Sequence, residues 1–216
     1  MDKKKKRFIF YSSPEHWFQA ALDLNEGVIE LYNIRNKLHS HQTYHFETKH
    51  PVLKSTFSRS IYLLMSYALE NLLKGIAVLN NPCLVTMGKL KKEIKTHDLN
   101  DLTILNNIEL AFHHKEFQGI LSDQCIANAR YPIGLHQGKE LNDPIISEED
   151  YSHYKYLFDF YVARLTTQFY ENGWDTGFDD PDLNTKPKKF IYMTQEEFKK
   201  GRMLSGKYPN IKLEEE

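Results

Sequence analysis

The hydrophobic pattern predicts a helical bundle built around one central helix. Between residues 58 and 81, apolar side chains recur at steps of three and four, which places them on one face of a helix. These side chains are Ile61, Leu64, Met65, Ala68, Leu69, Leu72, Ile76 and Leu79. Leu63, Tyr67 and Val78 fall on the other side. We therefore expect a helix that is enclosed on both sides, either within a bundle or between a bundle and a second subunit.

Capping and breaking residues divide the chain into four long helices, of which one is broken. We expect them at Pro14 to Leu38, Leu53 to Asn80, His97 to Ala129 with a break at Asn106-Asn107, and Ser147 to Asn172. Thr96 is the expected cap of the broken helix, and a box-like cap begins the last one. The expected buried stripe of the last helix is Tyr154, Phe158, Tyr161, Leu165 and Phe169. The residues of the broken helix that we expect to be buried are Leu99, Leu102 and Leu105 before the break, and Phe117, Ile120, Leu121 and Ile126 after it.

The predicted fold class is therefore an all-α, antiparallel four- to five-helix bundle forming a single domain over residues 14 to 172. We expect residues 1 to 13 to form an N-terminal arm with a short strand at Phe8 to Tyr11. We expect residues 173 to 216, which are rich in Gly, Pro, Asp and Lys, to form an irregular C-terminal extension. Its expected docking anchors are Trp174, Phe178, Phe190 and Tyr192.

Composition narrows the class of protein. The 216 residues carry a net charge of -1, so no global basic field attracts nucleic acid. The basic run Lys3 to Arg7 is followed by too few apolar residues for a secretion signal, and no stretch of 18 apolar residues predicts a membrane span. Cys83 and Cys125 are expected to be reduced thiols. We expect a soluble, cytoplasmic protein with no membrane contact.

Histidines between residues 39 and 51 raise the question of a metal site. His39, His41, His45 and His50 share no regular spacing, and Pro51 favours a loop. Nucleotide-binding, nucleophile-elbow and zinc-protease motifs are absent from the sequence. We therefore expect neither a metal nor a cofactor.

Glu70 and Lys74 lie one helical turn apart in the central helix, with the acid first. They can form an ordinary surface ion pair. Alternatively, if the neighbouring apolar residues are covered, the pair is partly desolvated and serves a polar site or a subunit interface.

Arg130 and His136 lie near the predicted end of the broken helix. An arginine can clamp a phosphate and a histidine can transfer protons near neutral pH. Together they could drive a ribose 2'-hydroxyl onto the adjacent phosphodiester without a metal. Arg130 could instead cap the preceding helix or pair with Glu70 or Asp98, and His97 could simply bond a loop carbonyl.

Three segments, in this order, resemble HEPN-domain proteins: Ser-Tyr-Ala-Leu-Glu-Asn-Leu-Leu-Lys-Gly at 66 to 75, Thr-His-Asp-Leu-Asn-Asp-Leu at 96 to 102, and Ala-Arg-Tyr-Pro at 129 to 132. The resemblance spans about residues 14 to 172. It implies a helical bundle that commonly dimerises, in prokaryotic defence and toxin-antitoxin systems. Many members are metal-independent ribonucleases with an Arg-x(4-6)-His motif in each subunit.

Carried onto this chain, the resemblance implies Arg130 and His136 as catalytic residues. Glu70, Lys74, His97 and Tyr131 would be substrate-binding or supporting residues. Tyr131-Pro132 departs from the family pattern, because it ends the helix before His136. Two functions follow as hypotheses: an RNA-cleaving or RNA-binding effector, or a non-catalytic module that dimerises or binds a partner protein.

Overall fold

The computed structural model of the chain describes residues 1–35, 41–44, 51–54, 57–125 and 145–187, without the side chains of 41–44 and 51–54. In this part of the chain, six α-helices surround a common core and a two-stranded sheet joins the second and third. The helices are α1 (Lys3–Tyr11), α2 (Pro14–Ile34), α3 (Ser58–Asn80), α4 (Leu99–Leu105), α5 (Phe112–Asp123) and α6 (Glu148–Asn172). The strands are β1 (His41–Tyr44) and β2 (Pro51–Lys54). The all-α bundle is thus confirmed.

Helix α3 is the centre of the bundle, as its periodicity predicts. It contacts α2, α4, α5 and α6, and every residue of its predicted stripe except the half-buried Leu64 is buried. A Cβ added at Gly75 would lie 3.1 Å from Leu165 of α6 and 3.2 Å from the Trp17 Cβ of α2. The missing side chain therefore lets three helices approach closely at this level.

The second face of α3 is largely covered by the chain itself. Val78 is fully buried, and Trp174 donates from Nε1 to the Val78 carbonyl oxygen at 3.1 Å. Leu63 and Tyr67 are half-buried. By length and composition α3 could cross a membrane, but its most apolar window is 78% buried inside the fold. Its apolar side chains are therefore already covered by protein, as in a core helix.

Helix α6 matches its predicted cap, stripe and end. Ser147 and Asp150 form a capping box, and the Tyr62 hydroxyl donates to Asp150 at 2.9 Å, which ties α3 to the start of α6. All five predicted stripe residues are buried. The helix ends at Gly173, whose φ of 66° is in the left-handed region that favours glycine.

The predicted break between two helical pieces is also confirmed, but the capping residue and the buried faces differ from the prediction. Asn107 has a φ of 51° and separates α4 from α5. The cap of α4 is Asp98 rather than Thr96, because the Asp98 carboxylate accepts from the Asn100 and Asp101 amides. Leu105 and Ile120 were expected to be buried but are 37% and 46% exposed, so the buried faces are narrower than predicted.

The N-terminal strand prediction is wrong, because Lys3–Tyr11 forms helix α1. An apolar run as short as Phe8 to Tyr11 cannot separate strand from helix, and the preceding lysines are good helix formers. Ile9 is fully buried, so this segment belongs to the core rather than to a free arm.

The histidine-rich connection contains β1 and β2, where a loop was expected. They pair in antiparallel register from His41 with Lys54 to Tyr44 with Pro51. Leu53 therefore lies in a strand, and α3 begins five residues later than predicted, at Ser58. The predicted extension of α2 to Leu38 lies outside the described residues.

The described part of the C-terminal extension, residues 173–187, packs on the bundle. Trp174 is buried and exchanges two backbone hydrogen bonds with Thr185, at 2.7 and 2.8 Å. Lys6 of α1 contacts Asp180 at 3.0 Å and Asp182 at 2.9 Å. Phe178 packs against the core as predicted, with Lys5 over its ring. The anchors Phe190 and Tyr192 lie outside the described residues.

Candidate functional site

A buried polar cluster lies where α3, the segment before α4 and the end of α5 meet. The Glu70 carboxylate accepts from Lys74 Nζ at 2.7 Å through Oε1 and contacts His97 Nδ1 at 2.9 Å through Oε2. The Glu70 and Lys74 side chains are only 8% and 7% exposed, whereas that of His97 is 44% exposed. The prediction of an ordinary surface pair is therefore wrong, because both side chains are desolvated.

The cluster follows from local structure. Glu70 and Lys74 share one face of α3 because they are four residues apart. His97 is held between the buried Ile94 and Leu99, and the Leu99 amide donates to Ser122 of α5 at 2.9 Å. Trp17 of α2 closes the other side, since its ring centroid lies 6.0 Å from Lys74 Nζ.

The Glu70 contact defines what His97 can do chemically. A carboxylate can only accept, so Nδ1 of His97 donates to Glu70 and Nε2 is the ring nitrogen left to contact another group. The half-exposed ring can present that nitrogen to a bound molecule. The described partner of the His97 ring is thus the buried Glu70 carboxylate rather than a loop carbonyl.

Cys125 is the cluster member that the sequence did not single out. Its sulfur, the Glu70 oxygen and a His97 ring nitrogen all lie within 4.8 Å of one another. Such a set could hold a metal, but the Lys74 ammonium already neutralises Glu70 and would repel a divalent cation. The arrangement therefore suits proton transfer or anion contact better than metal binding. Cys125 continues the buried positions Phe117 and Leu121 at steps of four, the one sequence signal that could have placed it here.

No protein-family model, curated protein or solved structure matches this chain. The site is therefore interpreted from its own geometry. The structure brings together three of the predicted residues, Glu70, Lys74 and His97. Arg130, Tyr131 and His136 lie outside the described residues.

Proposed function

We propose that this protein is a HEPN-like, metal-independent effector that cleaves or binds RNA within a prokaryotic defence or toxin-antitoxin system. The observation that supports this function best is the buried Glu70 carboxylate holding a half-exposed His97 at 2.9 Å. A buried ion pair stabilises a fold no better than apolar residues of similar size would. Stability alone therefore does not account for Glu70 and Lys74 inside the fold, and this favours a functional reason for the pair.

In this proposal the chain's own groups perform phosphodiester cleavage. A histidine accepts the ribose 2'-hydroxyl proton, and the resulting oxygen attacks phosphorus. The bond to the 5'-oxygen breaks, and that oxygen leaves with a proton from a general acid. His97 and His136 are the candidates for the two proton transfers, and Arg130 would stabilise the negative charge on the phosphoryl oxygens.

The test is RNA cleavage in excess EDTA. Wild-type protein should convert mixed single-stranded RNA into fragments ending in 2',3'-cyclic phosphate, which mass spectrometry identifies. Arg130→Ala and His136→Ala should each abolish cleavage. His97→Asn should slow it by about 100-fold or more, because the asparagine amide keeps the bond to Glu70 but lacks the second ring nitrogen.

Matched control variants distinguish the loss of a catalytic group from the loss of a charge or of the folded structure. Arg7→Ala removes an exposed arginine of α1, and His16→Asn removes a histidine at the start of α2. Both should cleave at the wild-type rate, and all variants should keep the wild-type circular dichroism spectrum. Intact RNA with wild-type protein, together with no RNA retention on filters, would eliminate the proposal.

The second candidate is a dimerisation or partner-binding module, which exposed apolar side chains favour. Ile104 near the end of α4 and Phe112 at the start of α5 are 72% and 74% exposed. Contiguous exposed apolar patches mark interaction surfaces, so this candidate requires Ile104 and Phe112 to belong to one patch. We propose a homodimer in either case, since the ribonuclease reading also requires two copies of the motif.

Light scattering should give twice the mass of one chain at micromolar concentration. Phe112→Asp should shift the protein to monomer, because a carboxylate would be desolvated in the interface. Met87→Asp is the control, since Met87 is 64% exposed in the segment between α3 and α4. A monomeric wild type, or dissociation by both variants alike, would count against this interface.

A further inference from the structure

A second cluster of titratable side chains lies at the opposite end of α5. His113 and His114 in its first turn face His153 in the second turn of α6, and one ring nitrogen from each lies within 4.8 Å of the others. Eleven residues separate His114 from Cys125, or roughly 16 Å along a helix. The two clusters are therefore separate sites.

The three rings are held in place by their neighbours. His114 stacks on Tyr156, with centroids 4.2 Å apart and an angle of 7° between the planes. The ring of Phe117 lies 5.6 Å from that of His153. The Glu149 carboxylate, one turn before His153, lies 3.7 Å from its Nε2. A carboxylate and three imidazoles thus converge on one small region.

His114 supplies an independent observation that points to a ligand. It is only 7% exposed, and its Nδ1 is buried without a hydrogen-bond partner in the described part of the chain. A buried polar atom left unsatisfied costs roughly 1–3 kcal/mol. Burial, then repulsion from His113 and His153, lowers the pKa of His114 to about 4.

We propose that His113, His114 and His153 form a binding site for a divalent transition-metal ion of the Zn²⁺ class, with Glu149 or a water molecule as fourth ligand. Three imidazoles and one oxygen are a donor set that Zn²⁺ accepts and that Mg²⁺ and Ca²⁺ do not favour. No lysine or arginine forms a described ion pair with Glu149, in contrast to Lys74 beside Glu70.

Binding an ion requires the three histidine nitrogens to move slightly closer together. Tetrahedral Zn–N bonds of about 2.0 Å place the ligand nitrogens about 3.3 Å apart. His113 is exposed and His153 is partly exposed, so both side chains can rotate toward the stacked His114. The ion would then link the start of α5 to the start of α6 and supply a partner for His114.

The experiment uses untagged full-length protein, stripped with chelator and titrated with Zn²⁺ by calorimetry. Wild type should bind one ion per chain, and the thermal midpoint should rise by about 5 °C or more at hundredfold excess over Kd. His113→Asn and His153→Asn should each weaken binding at least tenfold, while Mg²⁺ should have no effect. X-ray absorption at the zinc edge should count three imidazole ligands.

Two control variants change histidines that lie outside the proposed site. His16→Asn should bind Zn²⁺ as wild type does. His97→Asn, which alters the Glu70 cluster, should do the same, so success here is independent of RNA cleavage. If wild type shows no stoichiometric binding, or if His113→Asn and His153→Asn bind as tightly as wild type, the three histidines are only a stacked aromatic cluster and the proposal is wrong.

Discussion

Replacing Lys74 with methionine should lower the free energy of unfolding by about 3–5 kcal/mol. Methionine has nearly the same shape as lysine but no charge, so the buried Glu70 carboxylate loses the ammonium group that lies 2.7 Å from it. A carboxylate that is only 8% exposed cannot recover this interaction from water. Urea denaturation followed by circular dichroism measures the change.

A control and a rescue variant make this result interpretable. Lys155→Met removes an exposed lysine of α6 and should change stability by less than about 0.5 kcal/mol. The double variant Glu70→Leu with Lys74→Met should regain most of the loss, because it leaves no unpaired charge. If Lys74→Met proves as mild as Lys155→Met, the pair is solvated in solution and Glu70 does not hold His97 as a buried carboxylate.

Substituting Gly173 by alanine should destabilise the protein by about 3–5 kcal/mol or release the segment that follows. Two costs combine: the positive φ of 66° disfavours a side chain, and the new Cβ would overlap the Thr185 carbonyl oxygen. That oxygen accepts from the Trp174 amide, so relieving the clash breaks this backbone pair. Urea denaturation measures the stability, and tryptophan fluorescence reports exposure of Trp174.

Gly177 offers a matched control within the same segment. Its φ of 76° is similar, but an added Cβ would have nothing within 4 Å. Gly177→Ala should therefore show the conformational cost alone, about 1–2 kcal/mol. Equal effects of the two alanine variants would mean that the backbone around Thr185 adapts, and that the close approach has no energetic weight.

Periodicity and capping were enough to predict the bundle. The stripes of α3 and α6 are long, and their ends carry local signals such as the Ser147 cap and Gly173, so neighbours in sequence determine them. For the shorter helices α4 and α5, the same periodicity rule predicted a wider buried face than the structure has. Leu105 and Ile120 fit the helical spacing, but whether an edge position is covered depends on the tertiary arrangement of neighbouring helices.

The two side-chain clusters were harder to predict, because each joins residues that are distant along the chain. His97 reaches Glu70 across 27 positions, and nothing in the local sequence selects that partner. The resemblance to HEPN-domain proteins implied a supporting role for both residues, but it did not predict that they contact each other. His113, His114 and His153 carried no signal at all, since they lie on two helices and the distance between them is set only when α5 packs on α6.

The contact between Lys6 and Asp182 bears on the order in which the chain can fold. These residues are 176 positions apart, so α1 is made long before the segment that pairs with it. Contacts of such separation form late, because the entropy of closing a large loop is lost before any contact offsets it. During synthesis α1 therefore cannot form this contact until residues 174–187 have been made, and the last step of folding depends on that segment.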